Sequence, residues 1–308
     1  MKKIALFTVS LGVVWLLVSC AASNQRFNQL RTESGYCYPP VVYSYDSSSR
    51  PFDSLSKVLD PILKKKFSEH SLMVANAAGV LRYLKELQAD PSPSTAYGKR
   101  QQILTQLFLV STEISSMAAE LDCEGERANQ VADFLTQKET RRVRLLTIFS
   151  VTMGALGGIG NATLKSHPAA VASAVIGGSI SAGLGLGALF SSRRVIFNHP
   201  RNLLTDFWSE EKTSLVYPPP IWYMFSQKYF SNSQEAPIAR NMKQRWIKFE
   251  DLDQHNKENE RLIKLFFGPG GLYSADELRS RARMLNQVQA AVKLMNQDLQ
   301  GLIAEISK

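Results

Sequence analysis

The sequence predicts an all-α protein, an elongated bundle of long heptad-patterned antiparallel helices around a central apolar helical hairpin. Three observations carry that expectation. Apolar residues recur at steps of three and four over long stretches near the middle and the end of the chain. Two small-residue apolar runs sit side by side in the centre. No run of alternating apolar and polar residues stands out as a strand.

The first element is an address. Residues 1–23 read MKKIALFTVSLGVVWLLVSCAAS. Lys2 and Lys3 precede an apolar run from Ile4 to Val18, which is too short to cross a bilayer, since crossing takes about 20 apolar residues. The run therefore reads as a cleavable signal. Leu17-Val18-Ser19-Cys20 resembles the lipobox of bacterial lipoproteins at all four positions. That resemblance implies diacylation of Cys20, cleavage before it, and lipid as the partner that holds the chain on a membrane. Acyl chains contribute about 0.8 kcal/mol per buried methylene, and two or more make a lasting anchor. Ala21 follows the cysteine where inner-membrane retention would place Asp, so in a Gram-negative cell the resemblance favours the outer membrane, facing periplasm or exterior.

The formal charge of +9 includes Lys2 and Lys3, which leaves +7 on residues 20–308. Export removes nucleic acid from the expected partners and leaves anionic headgroups or cell-wall polymers as counter-surfaces. The chain has three cysteines. With Cys20 lipidated, Cys37 and Cys123 remain as an even pair in an oxidising compartment, which permits one disulfide; two unpaired thiols are the alternative.

Residues 20–52 read as an extended, lipid-tethered leader. Residues 53–144 read as a long helical hairpin. Its first arm runs from Asp53 to Gln88, and Asp90-Pro91-Ser92-Pro93 breaks it. Its second arm carries Ile103, Leu107, Val110, Ile114, Met117, Leu121, Ala128, Val131 and Leu135 close to a heptad register. Such a register is a seam for another helix of the chain, a second copy or an envelope partner.

Residues 145–190 form the glycine-rich apolar hairpin, with Lys165-Ser166-His167-Pro168 between its arms. Gly154 and Gly158 share one helix face, as do Gly183 and Gly187, and small faces let helices approach closely in lipid. The segment is similar to the glycine-zipper hairpins of bacterial envelope proteins. Arg141, Arg142 and Arg144 before it and Arg193 and Arg194 after it would all lie outside the cytoplasm, against the positive-inside bias. Three readings stay open: an inner-membrane hairpin, a shielded hairpin that enters lipid conditionally, and a hairpin buried within the bundle or an oligomer.

Residues 191–271 form an aromatic and proline-rich connection. The stretch from Tyr217 through Pro218-Pro219-Pro220 reads either as a polyproline docking edge or as a loop wedged against the bundle by its aromatics. Residues 272–308 form a C-terminal amphipathic helix, opened by a Ser274/Glu277 capping box.

Catalytic signatures are weak. Ser54-Leu-Ser-Lys57 matches the S-x-x-K of penicillin-recognising enzymes, but no S-D-N element accompanies it. His70, His167, His199 and His255 are scattered and lack metal-ligand spacing. The expected function is a non-enzymatic, lipid-anchored envelope scaffold or interaction component, with no cofactor and no metal. The alternative is a membrane-active effector that inserts its glycine-rich hairpin, similar to helical pore-forming proteins.

Overall fold

The computed structural model describes residues 37–38, 50–90, 92–163, 178–179, 181–183, 193–250, 252 and 257–308, with backbone alone for 156–163. The fold is predominantly helical. Short helices α1 (Leu55–Val58), α2 (Glu69–Ala77) and α3 (Leu81–Ala89) lead into α4 (Pro93–Thr163), a single helix of 71 residues. Strand β1 (Arg194–Asn198) is followed by α5 (Thr205–Ser209), α6 (Pro219–Ser226), α7 (Ile238–Phe249) and α8 (Lys257–Phe267). Strand β2 (Gly270–Ser274) pairs with β1, and α9 (Ala275–Ile306) closes the chain.

The described chain falls into two compact units. The larger takes Glu33–Arg127, Asn198–Gly270 and Ser280–Lys308; the other takes Ala128–Phe197 and Gly271–Arg279. In the larger unit the heptad seam of α4 is buried: Ile103, Leu107, Val110, Ile114 and Leu121 are almost fully inaccessible. Its cover is the C-terminal helix. Ser111 Oγ bonds Asn296 Oδ1 at 3.2 Å, and Gln289 Nε2 donates to Asp122 Oδ1 at 2.7 Å. Gly125 faces the same helix, where a Cβ would stand 2.9 Å from Asn286 Oδ1, the movable end of that side chain.

Three expectations need correction. The segment from Asp53 to Gln88 is not one helix. Val80 N donates to Ala75 O and Gly79 N to Asn76 O, while Gly79 takes φ 72°, so α2 ends in a Schellman turn. Only glycine enters that left-handed region without cost. The prolines at 218–220 form neither an exposed edge nor a loop. Pro218 caps α6 and Pro219 fills its first position, where a missing N–H costs nothing. From Pro220 to Phe225 that helix is buried. Finally, two short strands exist where none was expected. Val195 and Phe197 point inward, with Arg194, Ile196 and Asn198 exposed, a five-residue alternation too short to stand out.

The aromatic region forms a second core within the larger unit. The ring of Phe207 meets Tyr217, Trp222, Phe225 and Trp246 edge-on, with centroids 4.9–5.7 Å apart. Trp208 stacks on Phe267 at 4.4 Å. Each such pair adds roughly 0.5–1.5 kcal/mol beyond burial.

In the smaller unit, Phe197 packs edge-on against Tyr273. The capping box forms as the sequence predicts: Ser274 N donates to Glu277 Oε2 at 2.7 Å, and Glu277 N donates to Ser274 Oγ at 3.3 Å. Arg279 reaches Asp133 and Thr136 of α4 at 3.2 and 2.7 Å. The boundary drawn at 144/145 marks a change of composition inside one helix, since α4 runs on to Thr163.

Candidate functional site

Cys37 and Cys123 are joined by a disulfide, with their Cα atoms 5.6 Å apart across 86 residues of chain. The bond lays Cys37-Tyr38 on the face of α4 that carries Glu120, Glu124 and Arg127. The next residue of the leader, Tyr38, accepts a hydrogen bond on its hydroxyl from Arg201 N at 3.3 Å. Burial, and then the nearby Glu124 and Glu120 carboxylates, raise the Tyr38 phenol above its ordinary range.

Beneath the leader lies a buried polar network. Glu124, 1% exposed, accepts from Arg127 at 2.7 Å, and Arg127 also donates to Asn198 O at 3.1 Å. Glu120 faces Arg201 at 3.3 Å, and Arg201 donates onward to Val216 O. Loss of water outweighs the Arg201 charge, so the Glu120 carboxyl is pushed up to about 7. Glu113, two turns earlier on the same helix, is likewise pushed up to about 7 by burial.

The network continues through Arg281, which is fully buried on α9 and donates to Phe266 O at 2.7 Å and Asn202 Oδ1 at 3.0 Å. Asn202 donates to Phe266 O and Gly268 O, and Thr205 to Phe267 O. A helix leaves its last carbonyls without intrahelical donors. Here the end of α8 receives three side-chain donors, one of them a cation matched to the negative end of the helix dipole. His199 is also fully buried, and its pKa falls to about 2, by desolvation first and then by the charges of Arg281 and Arg127. It is a neutral imidazole at any physiological pH.

This arrangement fixes chain segments: the leader is held to α4 by the disulfide, and residues 198–217 and the end of α8 are held to α4 or α9 by charge-assisted hydrogen bonds. Among the described residues no group of three or more His, Cys, Asp or Glu is placed to hold a metal. Ser54 Oγ meets Ser56 Oγ at 2.8 Å, while the Lys57 ammonium lies over the Phe52 ring, so the S-x-x-K residues do not meet as a nucleophile and its base. His70 pairs with Asp298 at 2.9 Å, an interaction that raises its pKa. His167 and His255 lie outside the described residues.

Cys20 and Gly187 also lie outside the described residues. Gly154 and Gly158 fall within α4 and Gly183 in a short helical stretch. Near Gly154 the two arms touch: Ser150 Oγ lies 2.9 Å from both Ser181 O and Ser181 Oγ, and a Cβ at Gly154 would sit 3.6 Å from the latter hydroxyl. Among the described residues no helix is long and apolar enough to cross a membrane.

Sequence reasoning missed the network because its members look like surface residues. One signal was available. Glu113, Glu120, Glu124 and Arg127 recur at helical spacing beside the heptad seam, so they share a face adjoining the core. Compared with protein-family models, curated proteins and solved structures, the chain gives no significant match to any of them.

Proposed function

We propose that this chain is a lipid-anchored cell-envelope protein without enzymatic activity, acting as a helical scaffold or interaction component. Acylated Cys20 is the tether, and residues 20–52 are the leader that carries the helical body. One observation carries the reading: the leader is fastened to α4 by the Cys37–Cys123 disulfide, 17 residues after the lipidation motif. A disulfide suits an exported chain and not a cytosolic one. The heptad seam supports a scaffold in a particular way. Because α9 covers it from within the same chain, partners dock elsewhere on the body. Outer-membrane placement follows from Ala21 in a Gram-negative host.

The test is metabolic labelling with an alkyne-bearing palmitate in a bacterial host, followed by membrane fractionation. The expected result is label in the membrane-bound chain and none in Cys20→Ser. An unlabelled, freely soluble wild-type chain overturns the reading.

A further inference from the structure

Within α4, the character of the exposed surface changes after Glu139. Leu145, Ile148, Phe149 and Val151 are 55–66% exposed and line the outer side of the helix, with Leu146, Ser150 and Met153 turned partly inward. A helix that is apolar nearly all round belongs in a protein core or in lipid, and an exposed patch of this kind marks a binding surface. Its hydroxyls are already satisfied by backbone: Thr147 donates to Val143 O, Thr152 to Ile148 O and Ser150 to Ser181 O, all at 2.8–2.9 Å. That is the condition lipid imposes on polar groups.

The surrounding charge identifies the occupant. Arg141, Arg142 and Arg144 stand at the start of the bare stretch and have no ion-pair partner among the described residues. The backbone N of Arg193 bonds Glu139 Oε1, which brings the cationic Arg193-Arg194 pair to the same level. No acidic residue occurs between Glu139 and Asp206. We infer that this end of α4 seats in an anionic bilayer, its apolar side chains below the headgroups and its arginines among the lipid phosphates. A second copy is a poorer occupant, because it would bring two cationic collars together. The inference stands apart from the Cys20 anchor, since a tether alone would bring the chain to a membrane without burying this stretch.

The experiment uses the full chain, unreduced, with one added cysteine carrying a solvatochromic dye: Phe149→Cys, Ile148→Cys, or Ser115→Cys on the same helix as a control. Each is mixed with phosphatidylglycerol vesicles or with phosphatidylcholine vesicles, some containing lipids with nitroxide-labelled acyl chains. A second dye on the chain, read by mass, would report that Cys20 is free, and so separates failure of the anchor from failure of this surface. Expected are a blue shift and quenching at 148 and 149 in phosphatidylglycerol, and neither at 115. Each arginine near an anionic surface contributes roughly fivefold to binding, so R141Q/R142Q/R144Q should weaken binding about a hundredfold. Dyes at 148 and 149 that stay water-exposed in phosphatidylglycerol overturn the inference, as does equal quenching at 115. A blue shift that grows with protein concentration in the absence of vesicles also overturns it, and gives the face to a second copy.

Discussion

Two stretches of one helix, 103–128 and 143–155, teach what apolar periodicity does and does not specify. Both are rich in Leu, Ile, Val and Met. In the first, a regular seam of apolar residues is buried by one partner helix, α9, while Leu104, Phe108 and Leu109 stand exposed among polar neighbours on the other faces. In the second, apolar residues occupy nearly every face, and Ile148, Phe149 and Val151 remain in the open. Charge follows the same division. Glu120, Glu124 and Arg127 work inside the first stretch as paired, buried groups, whereas Arg141, Arg142 and Arg144 stand at the mouth of the second without carboxylates. The seam of the first stretch is covered within the chain; the second stretch is covered from outside it.

The largest effect expected from breaking this contrast comes from the disulfide, which belongs to the first stretch alone. Closing a loop of 86 residues should contribute about 4.6 kcal/mol through restriction of the unfolded chain. C37S/C123S should therefore lower urea stability by about that much, with the change read in the midpoint. Vesicle association through residues 145–151 should survive under conditions where the variant is still folded.

Next comes a matched pair. Ile114 is fully buried and Ile148 is 55% exposed. Ile114→Ala removes packed methyls and should cost about 3 kcal/mol, while Ile148→Ala should fall within roughly 0.5 kcal/mol of zero. Equal costs in chemical denaturation would show that the second stretch is packed after all. The pair also bears on the rival function. Wild-type chain bound to vesicles should retain a trapped dye; leakage would favour a membrane-perforating effector over a scaffold.

The seam, the all-α class and the capping box were legible because each rests on local chemistry with a fixed period or spacing. What escaped has a physical reason in every case. Gly79 sits in an apolar pattern that reads straight through it, and only its φ of 72° shows where α2 stops. Placing alanine in that left-handed conformation costs about 1–2 kcal/mol, so Gly79→Ala should lower thermal stability by that amount, an effect smaller than that of Ile114→Ala. Arg281 and His199 escaped because residues of their types are ordinarily solvated. Their burial depends on the carbonyls at the end of α8, which come from a distant part of the chain. At 145–155 the sequence did announce an unusual surface. It could not announce a cover, because none is encoded nearby.

The smallest effect is a pH slope, and it tests whether the polar groups of the first stretch are truly internal. Glu120 titrates at about 7 in the fold and near 4.5 when unfolded. Between those values the folded chain keeps a proton that the unfolded chain has released, so this residue makes stability fall as pH rises from 4.5 to 7. Its contribution is fully present below 4.5 and gone above 7. Glu113 acts in the same direction over the same window. His199 acts oppositely: its folded pKa is depressed to about 2 from 6.5, so stability falls as pH drops below 6.5. The three partly cancel between pH 4.5 and 6.5. Two carboxyls against one imidazole leave a net fall of stability with rising pH from these groups, and Glu120→Gln should cancel that fall across the interval. Urea midpoints measured at several pH values would show this. An unchanged slope would mean that Glu120 is hydrated, and that the leader held by Cys37 does not seal the face of α4 on which it lies.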